Sequence, residues 1–202
     1  MPHLHKALSL AAIINQMYRY LYCLSISICL IQITSGQSNC DKIKLTGNVN
    51  INWNDYKSKS DSSSTFDAIS SIVMDYDFVY SNDSLHVNTW CSFSPCKSWT
   101  KDTTDANLLS HERIHFEILE YFRRIFVKRI MEFKFSKKSF ATELESIYTD
   151  IKNQEKLFQS TYDNETNFSL SKNEQIRWKK KIENLLLSMN HFDKAVTDLA
   201  FR

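Results

Sequence analysis

The chain has 202 residues, 43% of them hydrophobic and 13% aromatic, which suffices for one compact domain with a real core. Its formal charge of +2 is close to balance, and no Lys/Arg stripe interleaves with aromatics. That removes any electrostatic ground for a nucleic-acid partner, so function has to be argued from a site.

The N-terminal region opens with Lys6 and Arg19 and continues into an apolar stretch from Tyr20 to Ile33, followed by Thr34-Ser35-Gly36-Gln37. This order predicts a secretory signal over residues 1–36, with an uncleaved membrane anchor as the alternative, and a single domain over residues 37–202. The expected location is exported, periplasmic or extracellular, with membrane contact only if the segment stays attached. Of the five cysteines, Cys23 and Cys29 fall inside that segment, which leaves Cys40, Cys91 and Cys96. Export permits disulfides. Cys91 and Cys96 bracket the turn-like Ser92-Phe93-Ser94-Pro95, so a local Cys91–Cys96 bridge is expected, with Cys40 left over.

From Lys42 to Thr100 the pattern favours strands and loops. Val49, Ile51 and Trp53 alternate with polar residues, the Ser-rich stretch from Lys57 to Thr65 predicts an exposed loop, and residues 75–80 again have period two. Ser81-Asn82-Asp83-Ser84 supplies turn chemistry before Leu85 to Trp90, which predicts a hairpin. Helical spacing takes over after Trp99. One helix opens near Asp105 and runs through Leu108, His111, His115, Leu119, Phe122 and Phe126. A second spans roughly Ser139 to Gln159 with Phe140, Leu144, Ile147, Ile151 and Leu157 as its buried stripe, and Tyr162 to Ser169 follows as a polar loop. The third starts at the capping box Ser171-Lys172-Asn173-Glu174 and buries Trp178, Ile182, Leu185, Leu186 and Met189. The predicted class is α+β: an N-terminal antiparallel β-sheet packed against a C-terminal half of three helices.

One pentapeptide carries chemistry, His111-Glu112-Arg113-Ile114-His115. Residues four apart project from one helix face, so His111 and His115 can offer imidazole nitrogens to a single zinc ion. Glu112 flanks such an ion without ligating it, which is where a general base for water activation belongs. The expected reaction is peptide-bond hydrolysis, with a peptide or protein as substrate. The bland reading of the same residues is a helix whose histidines are packed or solvated.

Five further segments run in register with a known family. They are Ile51-Asn52-Trp53-Asn54-Asp55-Tyr56, Ser98-Trp99, Leu108 through Ile118, Tyr162-Asp163-Asn164-Glu165-Thr166-Asn167 and Glu174-Gln175-Ile176-Arg177-Trp178. In these the chain resembles a bacterial family of predicted secreted zinc-dependent proteases, formerly a domain of unknown function, over almost all of residues 37–202. The resemblance implies a zinc metallopeptidase with an HExxH helix. It also implies a histidine shortly after the Tyr-Asp element as third ligand, where this chain has Phe168. A catalytic zinc site wants three protein ligands, so another group must substitute. Asp163 and Glu165 are preferred for their place in the matched segment, ahead of Glu143, Glu145 and His191. Tyr162 is a candidate oxyanion donor, with a buried structural tyrosine as its alternative. Two other readings stay open: an exported binding or structural protein with a degenerate metal site, and a metal binder without hydrolysis.

Overall fold

The computed structural model describes residues 40–45, 50–81 and 83–201. The expected signal or anchor over residues 1–36, with Cys23 and Cys29, lies outside the described residues, as does Val49. Among the described residues no helix is long and apolar enough to cross a membrane. The class is α+β, an antiparallel sheet with three helices in the C-terminal half.

The hairpin forms as its turn chemistry dictates. β3 (Ile72–Ser81) and β4 (Ser84–Phe93) pair from Ile72↔Phe93 to Ser81↔Ser84, and Asp83 takes the left-handed conformation (φ 60°) at the turn. β4 is the centre of a four-stranded sheet. On its far side β1 (Ile43–Leu45) covers the Phe93 end, and β6 (Val196–Ala200) covers the end from Ser84 to Asn88. Alternate residues of β4, Leu85, Val87, Thr89, Cys91 and Phe93, are buried, the single-face periodicity of a strand packed on helices. Away from this sheet, β2 (Ala68–Ile69) pairs with β5 (Trp99–Thr100).

Ile51 and Trp53 are both buried, but as part of a single-turn 3-10 helix over Trp53–Asp55. The predicted strand loses to local capping: the Asn52 side chain accepts from Asn54 N–H, and Asp55 accepts from Asn52 N–H. β6 was not expected. It is only five residues long, and its pairing with β4 depends on contacts distant in sequence.

Helix α1 (Ala106–Glu132) is capped by Asp105, whose carboxylate accepts from Asn107 and Leu108 N–H at 2.8 and 2.9 Å. It lies on the sheet, burying Leu108, Ile114, Ile118, Leu119, Phe122, Phe126 and Ile130. Two turns beyond the histidines, buried Arg123 donates to Glu120 twice at 2.7 Å, to Thr89 Oγ1 at 3.0 Å, and to the carbonyls of Asp193 and Lys194 at 2.8 and 3.1 Å. These bonds satisfy a buried guanidinium and fasten the segment leading into β6.

Helix α2 runs over Phe140–Thr166, seven residues past the predicted end at Gln159, so the expected polar loop from Tyr162 is mostly helix. Its buried face continues through Leu144, Ile147, Ile151, Glu155, Tyr162 and Thr166, and this places Leu157 on the opposite side, 71% exposed. Helix α3 (Lys172–Ser188) opens after Ser171, with backbone in place of the expected side-chain cap, and buries Trp178 and Ile182.

The disulfide is Cys40–Cys96, not Cys91–Cys96. Cys91 is a free thiol with no exposed surface, since β4 continues through it and turns its side chain inward toward Glu120. Burial, then the Glu120 carboxylate, pushes that thiol far above its ordinary range. Cys40 reaches Cys96 because β1 and β4 pair with Ile43 opposite Phe93, and stepping outward in the same register sets residue 40 against residue 96.

Candidate metal centre

His111, His115 and Asp163 converge between α1 and α2. One donor atom from each lies within 4.8 Å of the other two. His111 Nε2 is 3.2 Å from His115 Nε2 and 3.2 Å from Asp163 Oδ1, and His115 Nε2 is 2.9 Å from the same oxygen. A tetrahedral zinc with ligand bonds of about 2.0–2.1 Å separates neighbouring donors by roughly 3.3 Å, close to these three edges.

The outer nitrogens settle which atoms carry protons. Gln159 Nε2 donates to the His115 carbonyl and to Glu155 Oε1, both at 3.0 Å, which turns Gln159 Oε1 toward His115 Nδ1 at 2.5 Å. That oxygen only accepts, so Nδ1 holds the hydrogen, and in the neutral ring the Nε2 lone pair faces Asp163. His111 is arranged alike: Thr166 Oγ1 donates to the Tyr162 carbonyl at 2.7 Å and leaves its lone pair for His111 Nδ1, 3.5 Å away. Two nitrogen lone pairs and a carboxylate oxygen thus face one another, an arrangement that fits a divalent cation.

Asp163 and the imidazoles also act on one another's charge. Asp163 is held below the usual carboxylate range: burial alone would raise it, and the bonds to His111 and His115 overcome that effect. Burial would lower His115, but Asp163 and the Glu112 charge outweigh it and raise the imidazole.

Glu112 is buried, 6% exposed, and points to the first residues after β2. Ser70 Oγ donates to Glu112 Oε2 at 2.5 Å, and Tyr56 Oη lies 2.6 Å from the same Ser70 oxygen. Since Ser70 has spent its hydrogen on the carboxylate, Tyr56 is the donor in the second bond. Burial first, then the Glu112 charge, pushes the Tyr56 hydroxyl upward and keeps it protonated. Glu112, His111, His115, Asp163 and Ser70 all line one open cavity of about 840 Å3.

Of the predicted site residues, His111, Glu112, His115 and Asp163 come together. Glu165 does not: it accepts from Trp178 Nε1 at 2.8 Å, a structural bond between α2 and α3. Helical spacing explains the difference, since Glu165 sits two positions past Asp163 and so projects from another face. Tyr162 is fully buried, stacks on the His111 ring with centroids 4.6 Å apart, and donates to the His111 carbonyl at 3.3 Å. Its hydroxyl is therefore committed to backbone, the structural alternative to an oxyanion donor. Glu143 accepts from Ser136 N–H and Ser139 Oγ, Glu145 accepts from Tyr76, and His191 is exposed in the 3-10 turn Asn190–Phe192, so none of them joins the cluster. Phe168 stands at the cavity rim and coordinates nothing, and Asp163 supplies the third donor.

Gln159, Thr166, Ser70 and Tyr56 were not singled out in the sequence. Gln159 and Thr166 lie four before and three after Asp163, a spacing that would have marked them had the helix been extended past Gln159. No local signal marks Ser70. Comparison with family models, with curated proteins and with solved structures finds no match to this chain.

Proposed function

We propose that this chain is an exported zinc-dependent peptidase whose metal is held by His111, His115 and Asp163 and whose general base is Glu112. The observation that carries this reading is the triangle of donor atoms 2.9–3.2 Å apart, each oriented by a bond on its far side or by the helix that bears it. Zinc so bound supplies a Lewis acid that polarises a carbonyl and lowers the pKa of water. The chain's own contribution is acid–base and positional. Glu112 accepts a proton from the attacking water at its carboxylate and returns it to the leaving amine. Ser70 fixes Oε2 of that carboxylate and so sets the direction in which the other oxygen can reach. Gln159 and Thr166 hold the imidazole tautomers that leave Nε2 free for metal.

Export is supported by the apolar N-terminal segment and by the Cys40–Cys96 bridge, which persists in oxidising compartments.

The test combines metal analysis of purified protein with turnover of a mixed peptide library by the unsubstituted chain and by Glu112→Gln. The expected result is one zinc per chain in both proteins and a kcat lowered about a hundredfold to ten-thousandfold in the variant. Absence of bound zinc, or equal turnover in the two proteins, refutes the proposal. Zinc without turnover in the unsubstituted chain leaves a metal-binding protein.

A further inference from the structure

We infer that Phe66 and Phe168 form an apolar subsite that receives an aromatic or large aliphatic side chain of the peptide whose scissile carbonyl lies at His111, His115 and Asp163. The inference rests on the peptidase reading and names its substrate preference.

Phe168 is placed by an unusual stretch of backbone. Three consecutive non-glycine residues, Asn167, Phe168 and Ser169, have φ of 47°, 51° and 78°. Asparagine tolerates this region, and it closes α2 in the usual left-handed way; a phenylalanine there is an outlier that costs conformational energy. The stretch is held from several sides. Phe168 N–H donates to the Asp163 carbonyl at 2.9 Å, Ser171 N–H donates to the Thr166 carbonyl at 2.8 Å, and Asn107 Nδ2 on α1 donates to the Ser169 carbonyl at 2.8 Å. The strain does not serve burial, for the Phe168 side chain ends 47% exposed. It delivers an apolar ring to the cavity rim, tied by its own N–H to the residue that completes the metal triangle.

Phe66, also at the cavity, is likewise 47% exposed and packs its ring against that of Phe168 with centroids 5.8 Å apart. It belongs to the segment that enters β2, the same segment that carries Ser70 to Glu112. Ile69 and Leu170, 38% and 73% exposed, extend the apolar wall along the cavity. One arm of this wall thus comes from the element that orients the base and the other from the element that supplies the third ligand. A side chain laid against the paired rings lies in the same cavity as the reacting centre. Four exposed apolar groups around one opening recover hydration free energy only when covered, and an apolar side chain of the substrate covers them. Apolar pockets of this kind discriminate by about tenfold or more per methylene group.

The experiment uses the full chain carrying Glu112→Gln, loaded with zinc, and calorimetric binding of two capped heptapeptides of alanine and glutamine. One has a central phenylalanine, and the other has alanine there. The phenylalanine peptide is expected to bind at least about tenfold more tightly. Phe66→Ala and Phe168→Asn should each abolish that preference, while Phe168→Leu keeps most of it; asparagine retains the left-handed backbone, so loss of folding does not mimic the effect. Equal affinities, no binding of either peptide, or a preference that survives both ring deletions would overturn the subsite. Turnover by the unsubstituted chain is read separately. A binding preference without hydrolysis keeps the subsite and removes the peptidase, whereas hydrolysis without preference does the reverse.

Discussion

Ser70 Oγ donates to Glu112 Oε2 at 2.5 Å, so a residue just past a two-stranded ribbon aims the carboxylate of the HExxH helix. Ser70→Ala should lower kcat about tenfold to a hundredfold, as small misplacement of a reacting group does, with zinc content unchanged. Tyr56→Phe removes only the donor behind Ser70 and should cost less. Steady-state kinetics with parallel metal analysis checks both; loss of zinc in Ser70→Ala would assign that residue a different role.

Gln159 fixes the tautomer of His115. Gln159→Leu should weaken zinc binding about tenfold to a hundredfold, the usual cost of losing a partner behind a ligand. Competition with a chromophoric chelator measures it.

Asp163 and Glu165 are two residues apart and do different work. Asp163→Ala should abolish stoichiometric zinc, and at neutral pH it should also lose the stability that the bonds to His111 and His115 give the metal-free fold. Glu165→Ala should retain zinc and lose about 1–3 kcal/mol of stability, because Trp178 Nε1 loses its charged acceptor. Metal analysis and urea unfolding of the two variants separate the roles.

The contrast shows where the sequence was legible. His111 and His115 declare themselves because four-residue spacing on an amphipathic helix is a local property. The choice between Asp163 and Glu165 depended on whether the chain there was loop or helix, and the scarcity of apolar residues after Phe158 hid the last turns of α2. What keeps those turns helical is distant: Tyr162 packs on His111 and Trp178, and Thr166 meets His111. The hairpin was visible from its turn residues, whereas β6 and the Cys40–Cys96 pairing depend on strand register, which a single chain does not spell out.

Opening the Cys40–Cys96 bridge by Cys96→Ser should lower stability by about 4 kcal/mol, the chain-entropy value for a 56-residue separation. Chemical denaturation of the oxidised protein and the variant gives the difference. Peptide mapping after alkylation should find Cys91 modified only in the unfolded protein.

Glu117 adds a pH signature of its own. Burial first, and then the Glu183 charge, raises its carboxyl above the ordinary 4.5, and its Oε2 is buried without a partner. A raised folded value means that the folded state holds the proton more tightly, so this group's contribution is present below that ordinary value and is lost as pH rises through the folded one. Glu117→Gln should therefore raise the melting temperature at neutral pH and have no such effect in acid. Calorimetric scans across that range test the sign.

Arg123 has a consequence for the order in which the molecule matures. Its guanidinium sits on the same helix as the two imidazoles, yet one of the carbonyls that quiet it arrives from Asp193, 70 residues later. In a chain still being threaded out, Glu120 and Thr89 already face that cation, and the two later carbonyls are the acceptors still missing. Docking of the tail therefore completes the ring of acceptors around the guanidinium and ties the end of the chain to the helix that bears the histidines.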